Sequence, residues 1–205
     1  GHGVDNGIET QKLPYVFAEY YAKKPVKRPI INGEPCYEGA GYAYTYGRFK
    51  EFDIRKATWQ SLLSGAKAGV TYGAHGIWSW HKQGSSFSSV EFIGMPFDWR
   101  TALRFKGAWD VAYARWIFES WQLQQLEPAA AVLNKSPEIR MAMSSDQSRF
   151  AIYAPFNVAL ELDLDARSYD LVLIDLEIRW VIRPTISFAN GRTTIGPYDT
   201  NEDVL

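Results

Sequence analysis

The sequence predicts two architectures in tandem: an α/β segment amounting to about half of a (β/α)8 barrel, then a small antiparallel β-sandwich or meander. Three observations lead there. Helical and strand-like patterns alternate over the first two-thirds of the chain. Closely spaced alternating strands follow Glu127-Pro128. An Asn190-Gly191 pair between two β-capable runs is a strong hairpin signal.

The segment 13–24 places Val16, Phe17, Tyr20 and Tyr21 at helical spacing behind Pro14, and Pro25 and Pro29 end it. RPIINGEP (28–35) is a short β-branched run closed by Gly and Pro, which predicts a buried strand. Residues 39–49 are rich in Gly and Tyr without a steady period and predict a loop. Asp53 is an N-cap candidate for a helix carrying Ile54, Ala57, Leu62 and Ala66, with Gly69 past its end. VTYGAHGIWSWH (70–81) predicts a second strand running into an aromatic loop, and 82–97 a long loop. Asp98 caps a helix predicted over about 99–123, with Ala102, Phe105, Trp109, Ala112 and Trp116 as its apolar stripe. Helix–strand alternation of this kind implies parallel strands with helical crossovers. A complete barrel takes ~250 residues. After the boundary near 127–138, strands are expected within 139–145, 149–155, 158–164 and 169–182. Two domains, 1–127 and 128–205, follow. Both ends read as cut: the chain opens on a polar loop and closes on EDVL, which reads as the start of a strand.

Composition narrows the function. The 22 Lys+Arg against 23 Asp+Glu give no basic excess, so no nucleic-acid partner is expected. No apolar run is long enough for a membrane span. A single cysteine, Cys36, excludes an internal disulfide framework, and with no base beside it reads as a packing residue. His75 and His81 are six apart without accompanying Cys, which does not read as a metal site. G-x-S-x-G, G-x-G-x-x-G and P-loop patterns are absent, and no cofactor is implied. The 8 Trp and 12 Tyr are consistent with a large core or with platforms for a planar or sugar-like ligand.

Glu34 ends the first strand. In parallel α/β barrels the functional side chains sit at the C-terminal ends of strands, so Glu34 is the candidate catalytic carboxylate; the plainer reading is a salt-bridged or capping Glu. Glu38, four residues on, reads as a supporting group, a binder of substrate hydroxyls, or a simple loop carboxylate. Tyr72, His75, Trp78, Trp80 and His81 cluster after the next strand. Indole faces stack on sugar C–H faces and imidazole donates to hydroxyls; alternatively the Trp residues plug the barrel top. His2 and Asp5 would reach the same mouth if a strand precedes them.

Three stretches carry a resemblance: KRPIINGEPCYEG, FDIRKATWQSLLSGAKAGVTYGAHGIWSWH and the helix ending WIFESWQLQQLEP. Over about 1–180 the chain resembles the apiosidase-like glycoside hydrolases, which have a (β/α)8 barrel followed by a β-sandwich labelled a putative collagen-binding domain. The resemblance implies that this is the C-terminal half of the barrel, with 29–34 the seventh strand and 69–73 the eighth. It implies a retaining O-glycosidase acting on plant-type or other complex glycans, in the periplasm or outside the cell. Glu34 matches the nucleophile's position, and in the intact enzyme Glu38, Tyr72, His75, Trp78, Trp80 and His2 are expected to bind substrate. The acid/base has no counterpart here. A retaining mechanism holds its two carboxyl groups ~5–5.5 Å apart, so the missing N-terminal half of the barrel must come from the same protein or another chain, and this segment alone is expected to be inactive. The alternatives are a non-catalytic carbohydrate- or matrix-binding protein and a structural fragment completed by a partner chain.

Overall fold

The structure, a computed structural model, describes residues 12–43, 47–88, 93–200 and 202–205. His2 and Asp5 lie outside them.

Helix α1 (Leu13–Ala22) has proline in its first turn, where the missing N–H costs nothing. Strand β1 (Ile31–Asn32) and strand β4 (Gly69–Val70) pair in parallel, Ile31 with Gly69 and Asn32 with Val70. Between them run the hairpin β2 (Gly41–Ala43) and β3 (Gly47–Arg48) and helix α2 (Glu51–Leu63). The adjacent parallel strands expected from the alternation are therefore present. The hairpin was expected to be a loop. Strands of two and three residues are too short to show a period, and what holds them is the Gly39–Phe49 backbone pair: Gly39 N donates to Phe49 O at 2.9 Å and Phe49 N to Ala40 O at 2.9 Å.

Helix α2 starts earlier than predicted. Lys50 is its N-cap, and Asp53 sits in the first turn, accepting from the Lys50 N–H at 2.8 Å. It is buried nearly all round, at Ile54, Arg55, Ala57, Thr58, Trp59, Gln60, Ser61, Leu62 and Leu63. A helix covered on every side has no single apolar stripe, which is why the sequence showed only part of its buried surface.

The long helix predicted over 99–123 is two helices, α3 (Trp99–Ala102) and α4 (Gly107–Ser120), followed by a 3₁₀ turn at 123–125. The break at 103–106 lets Phe105 turn inward, edge-on to Phe97 at 5.2 Å and over Gly39, where a Cβ would meet the Phe105 ring. Ala102 is buried as expected, but the part of the expected stripe that lies on α4 faces the other way. Trp109 is 66% exposed and Trp116 is exposed too, while Ala114, Ile117 and Phe118 face the core. In α1 likewise Val16, Phe17, Tyr20 and Tyr21 are exposed and Tyr15, Ala18 and Ala22 buried. At Ala22 the contact is close: a Cβ on Gly65 would collide with that of Ala22.

Beyond Leu126, β5 (Glu127–Ala129), β6 (Arg140–Met143) and β7 (Phe150–Tyr153) form one antiparallel sheet. β8 (Leu160–Leu162), β11 (Ile186–Ala189) and β12 (Arg192–Ile195) form a second, and β9 (Leu173–Asp175) pairs with β10 (Trp180–Ile182). The run 169–182 thus holds two strands. Asp175 Oδ1 accepts from the Glu177 and Ile178 N–H groups at 3.0 Å each and turns the chain between them. At the β11–β12 turn Asn190 and Gly191 have φ of 52° and 75°, the two positive angles that a type I′ turn needs. The end of the chain joins two of these sheets, since Val204 bridges both Ala154 and Asp175.

One core is shared by Met141, Ile152, Leu160, Leu162, Leu173 and Ile195. A second crosses the expected boundary: Trp59, Leu63, Ala114 and Ile117 from the helices pack with Ala142, Tyr153, Ile174 and Leu176 from the strands. The two parts are joined by apolar contact as well as by the chain.

Candidate active site

The C-terminal ends of β1 and β4 are tied together beyond their two-residue ladder. Thr71 N donates to Asn32 O at 3.0 Å and Thr71 Oγ1 to Gly33 O at 2.8 Å. Asn32 Nδ2 donates to Ser61 Oγ at 2.9 Å, which anchors the strand end on α2. Glu34 therefore leaves the pair from a fixed backbone with its side chain exposed. Tyr37 Oη donates to Glu34 Oε1 at 3.0 Å. Burial, then the neighbouring Glu34 charge, pushes the Tyr37 phenol above its ordinary pKa, so Tyr37 keeps the proton with which it donates. Gly73 makes this possible, because a Cβ there would run into the Tyr37 ring.

Trp78 lies beside Tyr37, with ring centroids 6.4 Å apart and planes tilted by 34°. His75 stacks on Trp78 at 5.6 Å, and Phe87 meets both edge-on. His75 is buried, and its Nε2 sits 2.9 Å from Gly94 O, so that nitrogen carries the hydrogen. Burial holds the imidazole below its ordinary pKa and favours the neutral ring. Trp78 remains 49% exposed. An exposed carboxylate, a phenol donor and a half-exposed indole thus adjoin one another at the strand ends. This arrangement suits a ring with hydroxyls on its edges and C–H groups on its faces.

Glu38 and Tyr72 take a different position. Glu38 is 5% exposed, and its Oε2 accepts from Tyr72 Oη at 2.7 Å and from Gly107 N at 2.9 Å. It therefore caps α4 from outside that helix. Burial pushes its pKa up, against the Tyr72 and Gly107 donors. Tyr72 thus serves Glu38 and His75 serves Gly94, and it is Tyr37 that donates to Glu34. Tyr37 lies three residues after Glu34, but no local pattern in the sequence pairs its hydroxyl with that carboxylate. Trp80 is exposed and stacks on Trp99, a residue the sequence reading passed over. Cys36 is buried against Ile54 and Ala57, and burial raises its thiol pKa, as suits a packing residue. Among the described residues, no group of three His, Cys, Asp or Glu side chains could hold a metal ion, and no helix is long and apolar enough to cross a membrane.

The structure thus carries a parallel strand pair crossed by a helix, with a carboxylate and aromatic rings at the strand ends. The model of the apiosidase-like catalytic domain matches residues 1–125, and the chain belongs to that family. Two solved structures are similar in fold. One, named "Glycoside hydrolase", aligns at a TM-score of 0.74 and 18% identity over 95% of this chain and 45% of its own. The other, a glycoside hydrolase family 5 protein from Bacteroides vulgatus, aligns at a TM-score of 0.76 and 17% identity over 100% of this chain and 48% of its own. The chain spans about half the length of these structures. No curated protein matches.

Proposed function

We propose that this chain is the C-terminal part of a retaining O-glycosidase acting on plant-type or other complex glycans, with Glu34 as the nucleophile. The observation that carries the reading is the exposed Glu34 carboxylate at the C-terminal end of β1, held by the Tyr37 hydroxyl beside the face of Trp78. In the reaction Glu34 attacks the anomeric carbon as the glycosidic bond breaks. A second carboxylic acid, supplied from outside this chain, protonates the leaving oxygen. The same group then takes a proton from the water that releases the glycosyl-enzyme. Tyr37 holds the Glu34 oxygens in place and Trp78 supports the sugar ring, while Trp80 extends the apolar wall. Glu38 and Tyr72 act one layer back, fixing the start of α4 against the strand ends, and His75 backs Trp78 from beneath.

The rest of the barrel docks on the two sides of the β1–β4 pair. One groove runs between β4 and α4 along Val70, Val111 and Ala112; the other lies between α1 and β1 along Tyr21, Val26 and Ile31. The exposed aromatic faces of α1 and α4 suit helices of that missing half. An enzyme for such glycans would work in the periplasm or outside the cell.

In the full-length protein Glu34→Gln is expected to abolish turnover while leaving folding and sugar binding nearly intact, because charge is lost and shape kept. Glu38→Gln should cost less. Near-normal glycosidase activity in the Glu34 variant would refute the assignment.

A further inference from the structure

We infer that the Trp80–Trp99 stack is a second sugar-binding subsite, built to hold a pyranose ring of an oligosaccharide next to the bond cleaved at Glu34. The rings lie parallel, with centroids 4.9 Å apart and planes 11° from coincidence. The Arg100 guanidinium covers Trp99, 4.5 Å from its ring centroid. Trp80 is nevertheless 61% exposed, so the stack offers a flat indole to solvent. Its backbone has φ of 47°, a left-handed conformation that is costly for a bulky residue and that clusters at functional sites.

The platform is also held in register. Trp80 N donates to Ile77 O at 2.9 Å and His81 N to Gly76 O at 3.0 Å, closing the turn that carries the indole. Trp99 N donates to His81 O at 2.9 Å. Asp98 clasps both segments, its two oxygens accepting from Gln83 N at 3.0 Å and from Arg100 N at 2.9 Å. An exposed indole kept in a disfavoured backbone by five hydrogen bonds gains nothing for the core. It does supply a rigid apolar plane at little cost in ordering on binding. Trp80 stands two residues from Trp78, and its neighbour His81 meets Phe87, which in turn meets Trp78 edge-on, so both indoles belong to one loop cluster beyond β4.

The inference rests on the glycosidase reading for its substrate class, but its test needs no turnover. The full-length protein labelled with fluorotryptophan is titrated by fluorine NMR with xylohexaose, cellohexaose, mannohexaose and trigalacturonic acid. The Trp80 and Trp99 signals are assigned from Trp80→Phe and Trp99→Phe. At least one of these sugars is expected to shift both signals saturably. Trp80→Asn, whose short side chain tolerates the left-handed backbone, should weaken that sugar about tenfold, equivalent to ~1.4 kcal/mol. Trp80→Phe should fall between, and Glu34→Gln should bind as the parent does. The inference is overturned if no sugar moves either signal up to about 10 mM, a range that reaches even very weak complexes. It is also overturned if Trp80→Asn binds as tightly as the parent. Loss of turnover in Glu34→Gln with unchanged binding in Trp80→Asn would remove the subsite and leave the nucleophile standing. The opposite pair of results would remove the nucleophile alone.

Discussion

Replacing Arg55 with methionine should destabilise the whole chain, because this one side chain ties the α/β part to the strands. Arg55 is 4% exposed on α2. Its Nε donates to Asp203 Oδ1 at 2.9 Å and its Nη1 to Asp110 Oδ2 at 3.1 Å, with Glu202 on the remaining nitrogen. Tyr153 adds a donor to Asp203 at 3.1 Å, and Arg179 reaches the other oxygen of Asp110 at 3.2 Å. Burial alone would lower the Arg55 pKa; the Asp203 and Asp110 carboxylates outweigh it and raise it. The substitution strands Asp203, fully buried, with only neutral donors, whereas Asp110 keeps Arg179. Breaking a buried pair from one side costs about 3–5 kcal/mol. The half-exposed Glu202 adds little to that. For a chain of this size about 2–4 °C are lost per kcal/mol, so the midpoint should fall by about 6–20 °C. Urea titration followed by tryptophan fluorescence measures the loss directly. Arg55→Met with Asp203→Asn should recover part of it, since the stranded charge is then gone. A loss under ~1 kcal/mol, or a double variant no better than the single, would refute the reasoning.

The other expectations concern the site and the open edges. Gly73→Ala should push the Tyr37 ring off Glu34 and lower kcat of the full-length enzyme more than thermal stability; equal kcat would show that Tyr37 is not needed. Glu38→Ala removes the acceptor for Gly107 N and Tyr72 Oη and should cost about 1–3 kcal/mol in urea unfolding, with Glu38→Gln milder; an unchanged midpoint in both would contradict the capping role. The His75 imidazole has a lowered pKa in the fold, so the unfolded chain binds the proton more readily. The stability this contributes is present above the ordinary histidine value of about 6.5 and is lost as pH falls through the lower folded value. Melting points from pH 7 down to about 4.5 should fall less steeply in His75→Phe, and parallel profiles would refute it. The chain alone, with Trp109, Trp116 and the β1 edge uncovered, should sediment as more than a 23.3 kDa species; a monodisperse monomer would refute the expectation that these surfaces need a partner.

Local chemistry was legible in the sequence. The proline-led start of α1, the Asp98 cap, the alternating strands and the Asn190-Gly191 turn depend on neighbours within a few residues, where side-chain spacing and φ preference decide. Glu34 at a strand end was legible for the same reason, since strand and breaker are adjacent in NGEP. What only the tertiary structure decided were matters of which surface meets which. The aromatic stripes of α1 and α4 look like core by period, yet the opposite faces are the buried ones, with Tyr15, Ala18 and Ala22 in α1 and Ala114, Ile117 and Phe118 in α4. Tyr37, rather than Tyr72, serves Glu34 because Gly73 clears space for its ring. Glu38 caps a helix that begins 69 residues later. Arg55 meets Asp203 across 148 residues. Such pairings carry no periodic signature: their partners are distant along the chain, and they arise only when packing removes water from both sides.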